Sequence, residues 1–496
     1  MIENLEKVVL FEIMLKTVVL LAIVTSLKAI YNSLWHPLKS YPGPFLAVTS
    51  RVPITYITFT GRKTVWLHSL HLKYGPVVRV APNELSYMSQ EALNDIYGRA
   101  ESKENLRNDD IFYTAFEGDK STIMTTDEAS HARLRRTYAQ FFARQNLENF
   151  EPLFNRYSNL LVQRIRDTKQ AGVDIIELFS FALFDLMGHL QFGQSLQLLE
   201  RSARIQWAKS QPAWIRASVI AASLAEFPLV KTLFKFLFPT IIERQRRLYF
   251  AFTDGILNRR LQGDSNDPDL ITFVLQSEGA GLSKDEVISN APFFMLAGTE
   301  TSSSALCGLV AHILKMPDVL QRLTEEVRSS ISDPEFISMR NAHDLVYLDA
   351  CIKETLRRYP PIPEIMPRVT CPQGAFIAGK WVPGGTRVYV SLFSSMNSGT
   401  YFEEPTKFVP DRWLKRSGLY LNDKTDAFQP FSKGKKACIG QDMAYYIIRL
   451  FICKLLCQFD ISSETDIDGW LSDQRTWAVW RRSPLLIRAE PRNSVS

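Results

Sequence analysis

No cysteine occurs before Cys307, and the six from there onward show no close, regular spacing. That excludes a disulfide framework and places the bulk of the chain in a reducing compartment. A long basic tract is also missing. The net charge of +6 over 496 residues therefore argues weakly for an acidic partner and against nucleic acid. Neither an internal repeat nor a low-complexity tract is present, so repeat arrays and linker-rich chains drop out. What remains is a globular chain, 46% hydrophobic and 22% charged, long enough for one large domain or two to three ordinary ones. Cys453 and Cys457 lie four apart on an apolar helical pattern and read as small core residues. A zinc site joining them to Cys438 fails on spacing and on the apolarity of that helix.

The N-terminus is a separate piece. Val8 to Ile30 is about long enough to cross a bilayer. Glu12 and Lys16 interrupt it, but they are i,i+4 partners on one helix face, and Lys16 can snorkel. Three readings compete: a spanning anchor, an interfacial helix lying in the membrane surface, and a cleaved signal, for which a convincing small-residue cleavage site is lacking. Lys28, Lys39 and Arg51 lie on the C-terminal side of the segment and Glu3, Glu6 and Lys7 precede it, which leaves the main domain in the cytosol. Pro42-Gly43-Pro44 is a stiff turn that can fix how that domain sits on the membrane. The one strong composition shift falls near residue 36. The reading is residues 1–35 as anchor and linker, and 36–496 as one domain.

Within that domain, Val77 to Val80 alternates as a strand and should form a small hairpin sheet. Amphipathic helical patterns dominate from 140 to 360. Strand signals return at 375–378, 387–390 and around 477–487. The fold class is mainly α with small β-sheets.

The most informative stretch is Phe431-Ser-Lys-Gly434-Lys-Lys436-Ala-Cys438-Ile-Gly440, followed by a helical pattern from Gln441. A helix starting there aims free N–H groups and its positive dipole end at the sulfur. Such surroundings lower a thiol's pKa and favour the metal-binding thiolate. Gly434 and Gly440 allow turns or close approach that a side chain would block, and Phe431 supplies an apolar wall. The plain alternative is a buried structural cysteine beside surface lysines. The spacing closely resembles the haem-ligand loop of the cytochrome P450 family, in which Arg or His is usual at position 436.

Three further motifs follow in the family's order. Ser283 and Glu286 form a capping-box pattern opening an apolar helix to about Leu314. It carries Ala297-Gly298-Thr299-Glu300-Thr301, where small residues leave room for a flat group and hydroxyls can bond back to helix carbonyls. Alone this is more often a packing notch. It resembles the family's oxygen-activation motif, with Glu300 and Thr301 at the acid and alcohol positions of proton delivery. Pro292 predicts a kink there, or a later helix start. Glu354 and Arg357, at i,i+3, mean little alone. With Pro410-Asp411-Arg412-Trp413 they resemble the family's structural network of Glu354, Arg357 and Arg412, although Asp411 and Trp413 replace the commoner Glu and Phe. His131 and Arg135, brought onto one helix face by their i,i+4 spacing, together with Arg368 and Lys436, fall where the family holds the haem propionates; a solvated basic face is the alternative.

The resemblance covers almost the whole chain and is nearest to microsomal members from filamentous fungi, many of which tailor terpenoids, polyketides and alkaloids. It implies the cytochrome P450 fold and a monooxygenase that inserts one atom of O2 into a hydrophobic small molecule. Haem b would be bound by Cys438, with Phe431, Gly434, Lys436 and Gly440 around it. Electrons would come from NADPH through a flavin reductase, the NADPH–cytochrome P450 reductase, docking on a basic face of Lys433, Lys435, Lys436 and Arg133 to Arg136. Phe293, Phe294, Ala297, Ile362, Ile365, Met366 and Trp477 would line the substrate pocket. The chain would sit on the endoplasmic reticulum membrane by its single N-terminal anchor, in contact with lipid and facing the cytosol. Leu229 to Pro239 would dip into the interface or form an ordinary buried helix. Rival readings are a haem-thiolate isomerase or dehydratase without net oxygen insertion, and a non-catalytic haem-binding sensor.

Overall fold

A computed structural model of the chain describes residues 2–98, 106–117, 122–168, 172–201, 206–227, 269–276, 282–414 and 420–492, with a few single positions between 230 and 260 and at 418. Apart from Val230 and Thr232, the segment from Leu229 to Pro239 lies outside the described residues.

One helix sets the architecture. Lys284–Lys315 opens on the expected capping box: Ser283 Oγ accepts from the Glu286 N–H at 3.2 Å and Glu286 Oε2 accepts from the Ser283 N–H at 2.8 Å. It runs through Pro292 without a break, so the later start does not occur; packing along both flanks outweighs the one lost hydrogen bond. Helix Ile175–Phe192 lies against it, with Val346–Arg358 and Gln441–Gln458 on other sides. Ile175–Phe192 is apolar enough to cross a membrane, but it is buried in the core. Its ends are set by Asp174, whose side chain accepts from the Ile176 N–H, and by Gly193 at φ 64°.

Short strands form the remaining layer. Val77–Ala81 pairs antiparallel with Glu84–Tyr87 as the alternation predicts. Arg387–Val390 adds parallel to Glu84–Tyr87, followed by Arg368–Val369 and Arg107–Asn108. The C-terminal signals resolve into the hairpin Arg475–Trp477 with Val479–Arg481, and into Leu486–Pro491 paired with Phe459–Ser463 and Val173–Asp174. A large helical core and two smaller clusters under the sheet hold these layers together.

The N-terminal helix Ile2–Leu34 stands outside the core. No residue of its apolar stretch Val9–Leu34 is fully buried in the protein, and only Ala29, Asn32 and Ser33 are partly covered. The Lys16–Glu12 pair forms at 3.1 Å as the spacing predicts. Only the helix end is tied down: Arg79 Nη1 donates to Asn32 O at 3.0 Å, and Asn32 Nδ2 donates to Thr49 O at 2.9 Å. Removal of residues 1–28 is therefore expected to leave the melting temperature unchanged while the chain leaves the membrane pellet. A large fall in thermal stability would mean that the helix belongs to the fold.

Candidate functional site

The cysteine loop is built by hydrogen bonds and one obligatory glycine. The Cys438 N–H donates to Phe431 O at 2.9 Å, and Ala437 N–H to Gly434 O at 3.1 Å. Gly434 has φ 78°, and a Cβ there would lie 1.9 Å from Tyr97 O; no other residue fits. Gly440 differs from expectation. Its φ is −95°, and a Cβ would meet only Met443 Cε at 3.8 Å, so the turn itself does not require glycine. Phe431 packs on Tyr445 with ring centroids 5.3 Å apart.

Helix Gln441–Gln458 begins just past the sulfur. The surroundings nevertheless do not favour the Cys438 thiolate. Burial pushes its pKa up, against the Gly440 N–H and Arg135, which pull it down. The expected lowering fails because burial outweighs both, and the lysines turn elsewhere. Lys433 donates to Asn94, Lys435 pairs with Glu128, and Lys436 reaches Asn108 Oδ1 and Met124 O. The basic outer face is correspondingly smaller than the sequence suggests. Arg133 pairs with Glu286, while Arg135 and Lys436 face inward, which leaves Lys433, Lys435 and Arg136 exposed on that side.

Cys438 opens into a cavity of about 470 Å³. Phe431, Lys436 and Gly440 line it, as do His131, Arg135, Arg368, Glu300 and Thr301. All seven residues expected in a substrate pocket also reach it: Phe293, Phe294, Ala297, Ile362, Ile365, Met366 and Trp477. Gly434 supports the loop from behind. Thr301 Oγ1 donates to Ala297 O at 2.5 Å, the expected bond back to the helix. Gly298 gives its place to Met187, which a Cβ would strike at 2.5 Å.

The cavity's basic side fits a flat group bearing carboxylates. Arg135 Nη1 donates to Ala437 O at 2.7 Å, and Arg368 bonds Asn108 Oδ1. Arg368 Nε is buried without a hydrogen-bond partner among the described residues, a donor left for a bound anion. His131 is not a cation here: burial, then Lys436, Arg135 and Arg368, bring its pKa to about 4. It serves as a neutral imidazole.

Behind the loop lies Glu354, fully buried with Arg357. It accepts from Arg357 Nη2 and Nε at 2.8 and 2.9 Å, from the Val409 N–H at 2.8 Å, from Arg412 Nε at 3.2 Å and from Trp413 Nε1 at 3.0 Å. Arg357 spends its other donors on Met396 O, Pro405 O and Lys407 O, each at 2.8 Å. Asp411 faces away and pairs with Arg322 at 2.8 Å.

Sequence reasoning missed two parts of the cavity wall. Trp214, Ile215, Val219 and Ala222 come from helix Gln206–Ala225, whose pattern signals only amphipathicity. Arg51, Glu84 and Arg387 come from a charged cluster in which Arg387 binds Glu84, Asp109 and Glu226 together. Burial raises the Glu84 pKa, but Arg51, Arg387 and Lys63 outweigh it and bring it to about 2.

A family model described as Cytochrome P450 matches residues 51–487. Cytochrome P450 monooxygenase aneG of Aspergillus aculeatus is 35% identical over 468 residues, 93% of this chain and 88% of that protein. Cytochrome P450 monooxygenase FUM2 of Gibberella moniliformis is 36% identical, covering 92% and 98%. Averantin hydroxylase of Dothistroma septosporum is 36% identical, covering 93% and 88%.

Replacing Glu354 by Ala strands the buried Arg357 guanidinium and leaves Arg412 with Asp423 alone, and is expected to cost about 3–5 kcal/mol in urea unfolding. Trp413→Phe removes one hydrogen bond and should cost about 1 kcal/mol. Equal losses from the two variants would contradict a hub at Glu354.

Proposed function

Because the chain belongs to the cytochrome P450 family and is a haem b-dependent monooxygenase using O2 and NADPH electrons, we propose that Cys438 would be the residue that holds the haem iron and that the surrounding cavity is the active site. The observation that carries this reading is the convergence of Cys438, the basic group of Arg135, Arg368 and Lys436, and Glu300 and Thr301 on one cavity. When bound, haem iron held by the thiolate supplies the oxygen activation. Arg135, Arg368 and Lys436 would hold the propionates as cations, and His131 as a hydrogen-bond partner.

The protein's own contribution is to bind, orient and exclude water. Phe293, Phe294, Ile362, Ile365, Met366 and Trp477 favour a hydrophobic substrate and keep water from the reacting carbon. Thr301 and Glu300 deliver protons; the Thr301 hydroxyl must first leave Ala297 O to donate elsewhere. Glu354, Arg357 and Arg412 act structurally, on the loop and not on substrate. The substrate class we infer is a small apolar product of fungal secondary metabolism, a terpenoid, polyketide or alkaloid. Support comes from the apolar lining and from the fungal relatives, among them the averantin hydroxylase.

Residues 1–35 would anchor the domain 36–496 to the endoplasmic reticulum membrane, supported by the exposed apolar helix and the cations that follow it. The family works with a redox-partner reductase; here Lys433, Lys435 and Arg136 would meet its acidic flavin domain. Rim charges chiefly set the encounter rate, so salt should slow reduction modestly.

The first test is the carbon monoxide difference spectrum of the dithionite-reduced protein. A strongly red-shifted Soret band is expected, and it should vanish in Cys438→Ala. Persistence of that band in the variant would remove Cys438 from the iron. Product formation that needs neither NADPH nor oxygen would instead favour the isomerase or dehydratase reading.

A further inference from the structure

Glu300 is buried, and its Oε2 accepts from Arg482 Nη2 at 2.5 Å. Both side chains are nearly inaccessible, at 4% and 6% exposure. Thr301, its neighbour in sequence, is bonded to Ala297 O instead. Glu300 lines the cavity and Arg482 does not, so the guanidinium stands behind the carboxylate. No hydrogen bond to Glu300 Oε1 occurs among the described residues.

Arg482 follows strand Val479–Arg481. The turn of that hairpin, Trp477-Ala478-Val479, lines the same cavity. One C-terminal element therefore carries both a substrate-facing turn and the counter-charge of the acid.

We propose that Arg482 is a positioning residue for proton delivery, holding the Glu300 carboxyl group at the cavity wall with one oxygen turned to the reaction space. The proposal rests on the reading of Glu300 as the proton-delivery acid. A carboxyl group this deeply buried favours its neutral form unless a cation stands beside it. Around the pair are three other titratable groups: Cys307 two turns along the same helix, Tyr359 after Val346–Arg358, and Asp174 ahead of Ile175–Phe192. Burial pushes Cys307 up to about 12 and Tyr359 far above its usual range, so both stay neutral at working pH. Burial also raises Asp174. None of the three offers Glu300 a positive charge.

The test compares holoenzymes carrying Arg482→Met, Glu300→Gln/Arg482→Met, Arg482→Lys and Glu300→Gln. In Arg482→Met the Glu300 pKa should lie above its unfolded value. The folded state then binds the extra proton, so stability is present at low pH and lost as pH rises. Relative to the double variant, the unfolding equilibrium should shift by up to about tenfold per pH unit between the two pKa values. Arg482→Lys should restore the wild-type pH curve. The second readout is hydrogen peroxide released per NADPH oxidised, with reductase and no added substrate. Its pH profile should gain an inflection in Arg482→Met that wild type and Arg482→Lys lack.

Parallel stability curves for Arg482→Met and the double variant would overturn the proposal. Failure of Arg482→Met to fold beside a folded double variant would support it, since only an uncompensated buried carboxylate separates the two. If Glu300→Gln leaves the peroxide yield at the wild-type value across pH, the proton-delivery reading falls and the positioning role with it. If Glu300→Gln changes that yield and Arg482→Met does not, the proton-delivery reading stands and the role of Arg482 alone is overturned.

Discussion

The buried carboxylate of Glu354 is the constraint on which the site depends. It accepts five hydrogen bonds, two from Arg357 and one each from Val409, Arg412 and Trp413. Taking these charges out of water is costly, and attraction alone does not offset it unless every remaining donor is satisfied. Arg357 meets that condition: its other N–H groups reach three carbonyls of the segment between 396 and 407. Arg412 adds Asp423 and Glu403 O. Backbone far apart in sequence is thereby locked to one helix. Trp413 then packs at a tilt on Phe428, ring centroids 4.7 Å apart, three residues before Phe431. The loop that follows keeps its shape by its own hydrogen bonds, from Ser432, Ala437 and Cys438 N–H to Gln429, Gly434 and Phe431 O, and the hub fixes the chain that leads into it.

This explains which parts of the site the sequence made legible. The cysteine loop, the capping box, the hydroxyl bonded back to Ala297 and the Glu354–Arg357 pair are local, and spacing along the chain is nearly enough to define them. Family resemblance joined Arg412, His131, Arg135 and Arg368 to them, and the fold brings these residues to their expected neighbours. Where reasoning from neighbours in sequence failed, the deciding contact was distant. The lysines beside Cys438 looked like a local positive field, but Asn94, Asn108, Met124 and Glu128 draw them away. Pro292 pointed to a kink or a later helix start, yet the helix starts at Lys284 and continues through it, packed against helices from three other regions. Arg482 carried no signal at all, because its partner lies 182 residues earlier.

The cavity's two charged regions complete the argument, because they are built on opposite principles. On the cysteine side Arg135, Arg368 and Lys436 converge, while the hydrogen bonds of Arg135 and Arg368 go to a carbonyl and an amide. Neutral acceptors leave the positive charge uncancelled, which suits a prosthetic group that brings its own carboxylates. On the side of Arg51 and Arg387 the opposite holds. Glu84, Asp109 and Glu226 bind these two cations directly, and Lys63 and Glu364 add one charge of each sign to the same wall. Three cations against four carboxylates leave little net field for a charged substrate to exploit. What that cluster does hold is geometry. Glu226 closes the end of helix Gln206–Ala225, so Arg51 and Arg387 pin the helix carrying Trp214, Ile215, Val219 and Ala222 to the sheet. An apolar substrate is then enclosed by a wall that charges keep in place without reaching out to the substrate themselves.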